Sequence, residues 1–155
     1  MRIYSFIATA ALSIGSLHAG ADELINGWTN PYAEPKPGKN CGANEASLAE
    51  CEHKKMEHST KYLAALTTKV AKAVPPESTV LFQKASAAWL QFRDASCQFE
   101  AAGAAGNSRM FRQAACLHSY NKSRIELLSQ YDYCLSGGEC TNDIQLYYLV
   151  WPPGK

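Results

Sequence analysis

The residues with the clearest chemistry in this sequence are its six cysteines, and their number is even. They are Cys41, Cys51, Cys97, Cys116, Cys134 and Cys140. No C-x-x-C pair is present, and the cysteines and histidines do not combine into a zinc-finger spacing, so we expect no bound metal and no cofactor. An even set of cysteines in a small exported chain predicts three disulfides instead.

Histidine and serine provide the other candidates for catalysis, and neither residue type lies in a catalytic pattern. His53 and His58 are five residues apart and diverge on a helix. His118 lies two residues from Cys116, which is no longer a nucleophile once it is oxidised. Ser136, in a Ser-Gly-Gly sequence, lacks the strand and helix that flank a nucleophile elbow. The sequence therefore predicts that the protein is not an enzyme.

The N-terminal residues have the pattern of a cleavable signal peptide. Arg2 precedes an apolar run over residues 3–14, and small residues follow at positions 19–21. We therefore expect cleavage after Ala21, which would place the mature protein in the periplasm or outside the cell. The run is shorter than the roughly 20 apolar residues of a spanning helix, so we expect no stable membrane insertion.

Cleavage at this point leaves a chain without net charge. Residues 1–21 contain Arg2 and no acidic residue, so the remainder carries 14 basic and 14 acidic side chains. A neutral chain does not attract nucleic acid electrostatically, and we do not expect nucleic acid as a partner. The length that remains suits one domain.

Apolar residues at helical spacing predict three long helices. The first is expected over residues 45–74, after Asn44 as its N-cap and before two prolines that end it. The other two are expected over residues 77–102 and 109–131. Short connections between long helices predict an all-α fold, an antiparallel three-helix up-down-up bundle that disulfides cross-link.

Each predicted helix has an apolar face at about 100° per residue, which we expect to form the core. On the first helix Lys55 and Ser59 interrupt that face halfway along. We expect either that this half of the helix is less buried or that the two polar side chains contact something. On the second helix the face comprises Phe82, Ala85, Trp89, Phe92, Ser96 and Phe99. On the third helix it comprises Met110, Phe111, Ala114, Leu117, Ile125 and Leu128.

The segments on either side of the helices have a different character. Residues 22–40 contain three prolines and two glycines and predict an irregular, mobile lead-in. Residues 132–155 predict a small disulfide loop followed by an irregular C-terminal tail. The apolar run over residues 144–151 has no clean period, and we interpret it as an extended segment lying on the bundle. The alternative is an exposed strand that binds a partner.

A segment of the second predicted helix resembles the signature of a known protein family. It runs from Trp89 through Phe92, Arg93 and Asp94 to Cys97. This order is similar to the W-x-x-Y/F-R-D-x-x-C signature of the lysozyme-inhibitor LprI-like family of exported bacterial domains.

Other residues extend this resemblance over residues 41–131. Cys41 and Cys51 resemble the family's first cysteine pair, and Arg124 stands where the family has an arginine. Tyr120-Asn121 replaces the usual Leu-Thr, and the tail beyond residue 131 is additional. The resemblance implies a helical, disulfide-bonded envelope protein that inhibits lysozyme.

The signature residues also have a structural interpretation, which we prefer to a binding site. Trp89, Phe92 and Cys97 are predicted to face the core, and Arg93 lies between them. A buried cation requires a partner, and Glu100 or Glu126 is within reach. Asp94 points elsewhere and is expected to meet Arg124 or a helix end. The two arginines and Asp94 would then form an internal clasp.

The pairing of six cysteines does not follow from sequence alone, because 15 connectivities exist. Cys134 and Cys140 close their own glycine-containing loop and form the firmest predicted pair. Cys97 and Cys116 lie at matched heights on either side of a predicted turn, so we pair them, which leaves Cys41 with Cys51. The alternative exchanges partners among these four, since the first helix begins at the same end of the bundle.

These observations predict a non-enzymatic binding protein of the cell envelope with a protein partner, an inhibitor of lysozyme or of a related wall-cleaving enzyme. The alternatives are an immunity protein against a periplasmic toxin and a structural or envelope-stress factor without a tight partner. The oligomeric state is left open. The candidate contact residues are Lys54, Lys55, Ser136, Gly137 and Gly138.

Overall fold

The computed structural model describes residues 29–38 and 40–138, and this part of the chain forms three α-helices. They are α1 (Glu45–Ala73), α2 (Pro76–Ala101) and α3 (Gly106–Leu135). The Asn44 side chain accepts a hydrogen bond from the Ser47 N–H at 2.9 Å, and the Ser47 hydroxyl accepts one from the Asn44 N–H at 3.0 Å. This reciprocal cap satisfies two backbone donors at the start of α1.

Side-chain contacts along the bundle show how the helices are oriented. Three contacts join α1 to α3 in the same order along both helices: Glu45 with Ser108, Ser59 with Asn121, and Lys69 with Asp132. These two helices are therefore parallel, and α2 returns between them in the opposite direction. The predicted all-α, up-down-up bundle is confirmed.

The hydrophobic core lies mainly between α1 and α3. Its buried members are Leu63, Leu66, Val70, Val74, Ile125, Leu128 and Tyr131. All of them are on or directly after these two helices, which share the largest interface in the described structure. Burial of each large aliphatic side chain contributes about 1.5–3 kcal/mol, so this pair of helices supplies most of the apolar stabilisation.

Helix α2 buries much less of its surface, and part of its predicted core face is wrong. Phe82 and Trp89 pack against the core, but Phe92 and Phe99 are 57% and 82% exposed. The only fully buried residues of α2 are small: Cys97 and Ala101. Two neighbouring apolar arcs run along this helix, and the periodicity does not specify which of them the bundle covers.

The ends of α3 also differ from the prediction. The helix begins three residues earlier and ends four residues later than expected, so Cys134 lies in its last turn. Gly137 adopts a φ of 90°, and the N–H groups of Gly138 and Gly137 donate to the carbonyls of Tyr133 and Cys134. This is a Schellman ending, in which glycine tolerates the left-handed conformation. Met110, predicted in the core face, is exposed.

Two predicted disulfides are present in the structure. Cys41 is bonded to Cys51 and Cys97 to Cys116, with Cα atoms 5.8 Å and 5.5 Å apart. The first joins the segment before α1 to its second turn, and the second joins α2 to α3 near their connection. Cys134 is also disulfide-bonded, while its predicted partner, Cys140, lies outside the described residues.

Residues 29–38 contain no helix or strand and contact the bundle. Tyr32 packs against the core cluster, with its ring 5.2 Å from that of Tyr62. Glu34 forms an ion pair with Lys122 of α3. The predicted signal peptide and the predicted extended segment at 144–151 lie outside the described residues. Within the described ranges, no helix combines the length and apolar character needed to cross a membrane.

Candidate functional site

The family-signature residues of α2 lie against α3 and centre on one indole ring. The guanidinium carbons of Arg93 and Arg124 are each 5.5 Å from the centroid of the Trp89 ring. A cation at this distance from a tryptophan face contributes about 0.5–2 kcal/mol, with the larger values at desolvated sites. Three of the five predicted motif residues thus meet at this ring, and a fourth, Asp94, is bonded to Arg93.

Arg93 faces inward as predicted, but its partners differ from those expected. Its Nε and Nη2 donate to Asp94 Oδ1 at 2.8 and 2.6 Å, and its Nη1 donates to Asn121 Oδ1 at 2.8 Å. Neither Glu100 nor Glu126 takes this role. The adjacent carboxylate is a better partner because it neutralises the guanidinium at the rim, where Asp94 is half exposed. Asp94 therefore serves Arg93 and not Arg124.

Asn121 connects Arg93 to α1 through a buried polar chain. Its side chain is fully buried, and its Nδ2 donates to Ser59 Oγ at 3.1 Å and to Thr60 Oγ1 at 3.0 Å. Ser59 donates onward to the Met56 carbonyl at 2.9 Å. Both amide hydrogens and the amide oxygen of Asn121 are thus satisfied, as a buried amide requires.

Sequence reasoning did not identify Asn121 as a site residue, although two signals pointed to it. Ser59 interrupts the apolar face of α1, and the prediction that such polar groups contact something is confirmed by its hydrogen bond to Asn121. Tyr120-Asn121 is also where the chain departs from the family's Leu-Thr. A polar residue on each of two facing helices marks a buried pair, but sequence alone does not show which helices face each other.

Arg124 differs from Arg93 in having no fixed acidic partner. In the part of the chain that the structure describes, its guanidinium contacts the Trp89 ring and forms no hydrogen bond or ion pair. Burial lowers the pKa of Arg124, although an arginine remains charged at physiological pH. Arg93 is therefore held by hydrogen bonds to two side chains, whereas Arg124 lies on the indole ring.

A groove lies beside this cluster, between α1 and α2, with Arg124 of α3 in its lining. Its volume is about 280 Å³, just below the roughly 300–1,000 Å³ of typical ligand sites. Its lining residues are Thr60, Leu63, Ala64, Thr67, Ser86, Trp89, Leu90, Arg93 and Arg124. Apolar walls with guanidinium groups at the edge suit a small apolar group that ends in a carboxylate.

The other predicted contact residues lie in two separate places. Lys54 is exposed and donates to Glu50 at 2.6 Å, whereas Lys55 is half-buried and donates to Glu52 at 2.6 Å. Residues 136–138 lie beyond the far end of α3. The structure does not bring these two sets together, since they are separated by roughly 30 Å along the bundle axis at 1.5 Å per residue.

His118 is the most buried histidine of the described chain and lies under the lead-in segment. Its Nε2 is 3.7 Å from Glu34 Oε1, and its Nδ1 is buried without a hydrogen-bond partner. Burial lowers the pKa of His118, and the hydrogen bond from Lys122 lowers the pKa of Glu34. The described residues contain no cluster of ligands that would hold a metal ion.

The fold and this cluster define a class of protein, a small all-α domain with disulfides at one end and a polar core at its centre. A family model described as lysozyme inhibitor LprI matches residues 39–128. This match covers more than half of the chain and includes both described disulfides and the Trp89 cluster, so the chain belongs to the LprI lysozyme-inhibitor family. No curated protein and no solved structure matches the chain.

Proposed function

We propose that this protein is an exported, non-enzymatic binding protein of the cell envelope that inhibits a lysozyme or a related wall-cleaving enzyme. The family match over residues 39–128 carries the proposal. Disulfide-bonded cysteines support an oxidising location such as the periplasm or the medium. The signal-peptide pattern of residues 1–21 supports the same location.

The exposed face of α1 around Lys54 is the contact surface that the charges favour. Lysozyme-type enzymes carry two carboxyl groups in a cleft, which a cation complements. Among the described residues Lys54 forms an ion pair with Glu50, and both side chains are about two-thirds exposed. A surface pair of this kind contributes 0–1 kcal/mol, so Lys54 exchanges its partner at little cost.

The remaining candidates fit this role less well. Lys55 is half-buried and bonded to Glu52, so it is less accessible to a partner. Ser136 and Gly137 are exposed and Gly138 is half-buried, but Glu139 follows them and carries the same charge as the carboxylates of the cleft. We assign Arg93 and Asp94 to the internal clasp, because both are engaged with each other and Arg93 also with Asn121.

A direct inhibition assay tests the proposal. The oxidised protein of residues 22–155 is added in excess to a panel of lysozymes that clear a cell-wall suspension, and complexes are sized by gel filtration. We expect one class of lysozyme to be inhibited through a one-to-one complex. Full activity of every enzyme in the panel, with no complex, would overturn the proposal.

Charge reversal then tests the surface. Lys54→Glu is expected to weaken inhibition by at least about tenfold, equivalent to about 1.4 kcal/mol. Lys72→Glu, an exposed lysine five turns further along the same helix, is the matched control and should inhibit normally. Equal inhibition by the two variants would remove Lys54 from the interface and leave the inhibitor proposal in place.

Affinity capture from envelope extract separates the alternatives. A stoichiometric toxin encoded beside this gene would indicate an immunity protein. Recovery of no stoichiometric partner would indicate a structural or envelope-stress factor. Both results contradict the inhibitor proposal if the lysozyme panel is also negative.

A further inference from the structure

Helix α2 carries an apolar stripe that the bundle leaves exposed. Its six positions alternate in steps of four and three residues, and all six are exposed: Leu81, Ala85, Ala88, Phe92, Ala95 and Phe99. The exposed fractions of its large side chains are 68% for Leu81, 57% for Phe92 and 82% for Phe99. The stripe is roughly 27 Å long at 1.5 Å per residue.

This stripe is distinct from the side of α2 that faces the bundle. At about 100° per residue it lies on the opposite flank from Cys97, which is buried and bonded to α3. Among the described residues of the stripe, Phe92 also touches the bundle: its ring meets the Tyr120 ring of α3 edge-on, with the centroids 5.8 Å apart. A contiguous exposed apolar surface on a small protein indicates an interaction site.

The alternating spacing is that of a coiled-coil seam, in which apolar residues recur every 3.5 residues on average. We propose that α2 of one copy packs antiparallel against α2 of a second copy, so that the protein forms a symmetric dimer. The twofold axis passes near residue 90. Leu81 then faces Phe99 of the second copy, Ala88 faces Phe92, and Ala85 faces Ala95.

The order of large and small residues favours this occupant, because the stripe is complementary to itself when it is reversed. Each phenylalanine meets a leucine or an alanine of the other copy, and the alanine layers allow the backbones to approach closely. A parallel pair would place Phe92 and Phe99 against their own equivalents and three alanine layers against alanine. That arrangement leaves voids between bulky layers, which close packing disfavours.

The residues at the edge of the stripe also tolerate the antiparallel arrangement. Lys84, Gln91 and Gln98 lie along one edge of it. Reversal places Lys84 near Gln98 of the second copy and Gln91 near its own equivalent, so no like charges meet at this edge. The interface uses one surface patch twice, as closed twofold dimers do.

Sedimentation equilibrium of the oxidised protein of residues 22–155 tests the dimer. We expect a reversible monomer–dimer equilibrium, and Phe99→Glu should raise its Kd by at least about tenfold because a charge replaces an apolar contact twice. The matched control is Met110→Glu, an apolar position on α3 outside the stripe that is 57% exposed. Circular dichroism should show the parent helix content in both variants, since both side chains are exposed.

Oxidative cross-linking tests the orientation. Gln91→Cys lies close to the proposed axis and should form a disulfide-linked dimer. Lys84→Cys should not link to itself, because antiparallel packing places the two copies of residue 84 roughly 18 Å apart along the axis. Equal linking of both variants would indicate a parallel pair and contradict the proposed arrangement.

Two results would assign the stripe to another occupant and overturn the proposal. The first is a parent protein that remains monomeric while a chain ending at Thr141 dimerises, which would mean that residues 142–155 cover the stripe. The second is a monomeric parent in which Phe99→Glu abolishes lysozyme inhibition, which would make the stripe the inhibitory surface. A dimeric parent that inhibits no lysozyme would support the dimer and contradict only the proposed function.

Discussion

The α1–α3 pair and helix α2 are built on different principles, although all three helices have similar lengths. The pair is held by apolar side chains such as Val70, Ile125 and Leu128, which are completely buried. Helix α2 buries only Cys97 and Ala101 fully and is attached by directional links, a disulfide and a guanidinium. Buried apolar contacts are thus concentrated between α1 and α3, whereas exposed apolar surface is concentrated on α2.

The difference follows from the topology of the bundle. Parallel neighbours such as α1 and α3 are not joined by a short loop, so a third helix must return the chain from one end to the other. Helix α2 performs this return, and its position is fixed by Phe82 and Trp89 together with a disulfide and a guanidinium. Its other large apolar side chains, Leu81, Phe92 and Phe99, remain largely exposed.

The largest expected difference in the free energy of unfolding is between the substitution of a core aliphatic residue and that of a surface aliphatic residue. Ile125→Ala should lower the free energy of unfolding by about 4 kcal/mol, because it removes buried apolar contacts and leaves a cavity. Val80→Ala, on the exposed side of α2, should change it by less than about 0.5 kcal/mol. Urea denaturation measures both values. Similar losses in the two variants would show that α2 stabilises the fold as much as the pair does.

Removal of the disulfide between α2 and α3 should sharpen the contrast. The double variant Cys97→Ala/Cys116→Ala is expected to lose about 3 kcal/mol, from the loop-closure entropy of a bridge with a sequence separation of 19. Hydrogen exchange should increase first in α2, while the amides of α1 and α3 keep their protection. In the control, Cys41→Ala/Cys51→Ala, protection should fall at the start of α1 instead. Uniform loss of protection in both variants would contradict this difference.

The buried amide tests the polar link between the two parts. Asn121→Ala should cost about 2 kcal/mol, because the Arg93 guanidinium and the Ser59 hydroxyl lose a buried partner. Asn107→Ala, an exposed asparagine in the first turn of α3, is the control and should cost less than about 0.5 kcal/mol. Thermal unfolding compares the variants. Equal melting temperatures would mean that the buried chain of hydrogen bonds contributes nothing to the attachment of α2.

The smallest expected effect is a pH dependence where the lead-in segment covers α3. Burial lowers the pKa of His118, so the folded state binds fewer protons than the unfolded state. The contribution of His118 to the free energy of unfolding is therefore fully present above its ordinary pKa of 6.5. It decreases as the pH falls below that value. The charged groups near it are Glu34, Lys122, Glu52 and Lys55.

Unfolding at several pH values between 7.5 and 5.5 measures this dependence. The parent should lose stability over this range, and His118→Gln should lose less. His53→Gln, at an exposed position of α1, is the control and should follow the parent. This range lies above the ordinary value of Glu34, whose lowered pKa affects stability only at lower pH. An unchanged slope in His118→Gln would assign the dependence to another group.

The sequence predicts the fold well because the helix boundaries are encoded locally. Asn44 caps α1, Pro75 follows the end of that helix, and Pro76 is the first residue of α2. Facing cysteines near a turn also made the Cys97–Cys116 pair predictable. The sequence did not predict which residues of an apolar face are buried. Phe99 belongs to the same predicted face as Trp89, yet Trp89 packs on the core and Phe99 is exposed.

The candidate site was predicted in part, for a similar reason. The signature brought Trp89 and Arg93 together because they lie one helical turn apart. Their contacts with Asn121 and Arg124 depend on how α3 is rotated against α2, which no local pattern specifies. The predicted partners of Arg93, Glu100 two turns along α2 and Glu126 on α3, were wrong, because the adjacent Asp94 and the buried Asn121 accept its hydrogen bonds.

Both described disulfides join cysteines that are consecutive in the chain. If the chain crosses a membrane N-terminus first, Cys41 and Cys51 emerge before any competing thiol is available. Cys97 and Cys116 follow when the first two are already bonded. An oxidase that links each thiol to the next one to appear would then produce both described bridges without any exchange between mixed disulfides. For an exported chain, the order of these four cysteines would let the two bridges form during translocation without an isomerase.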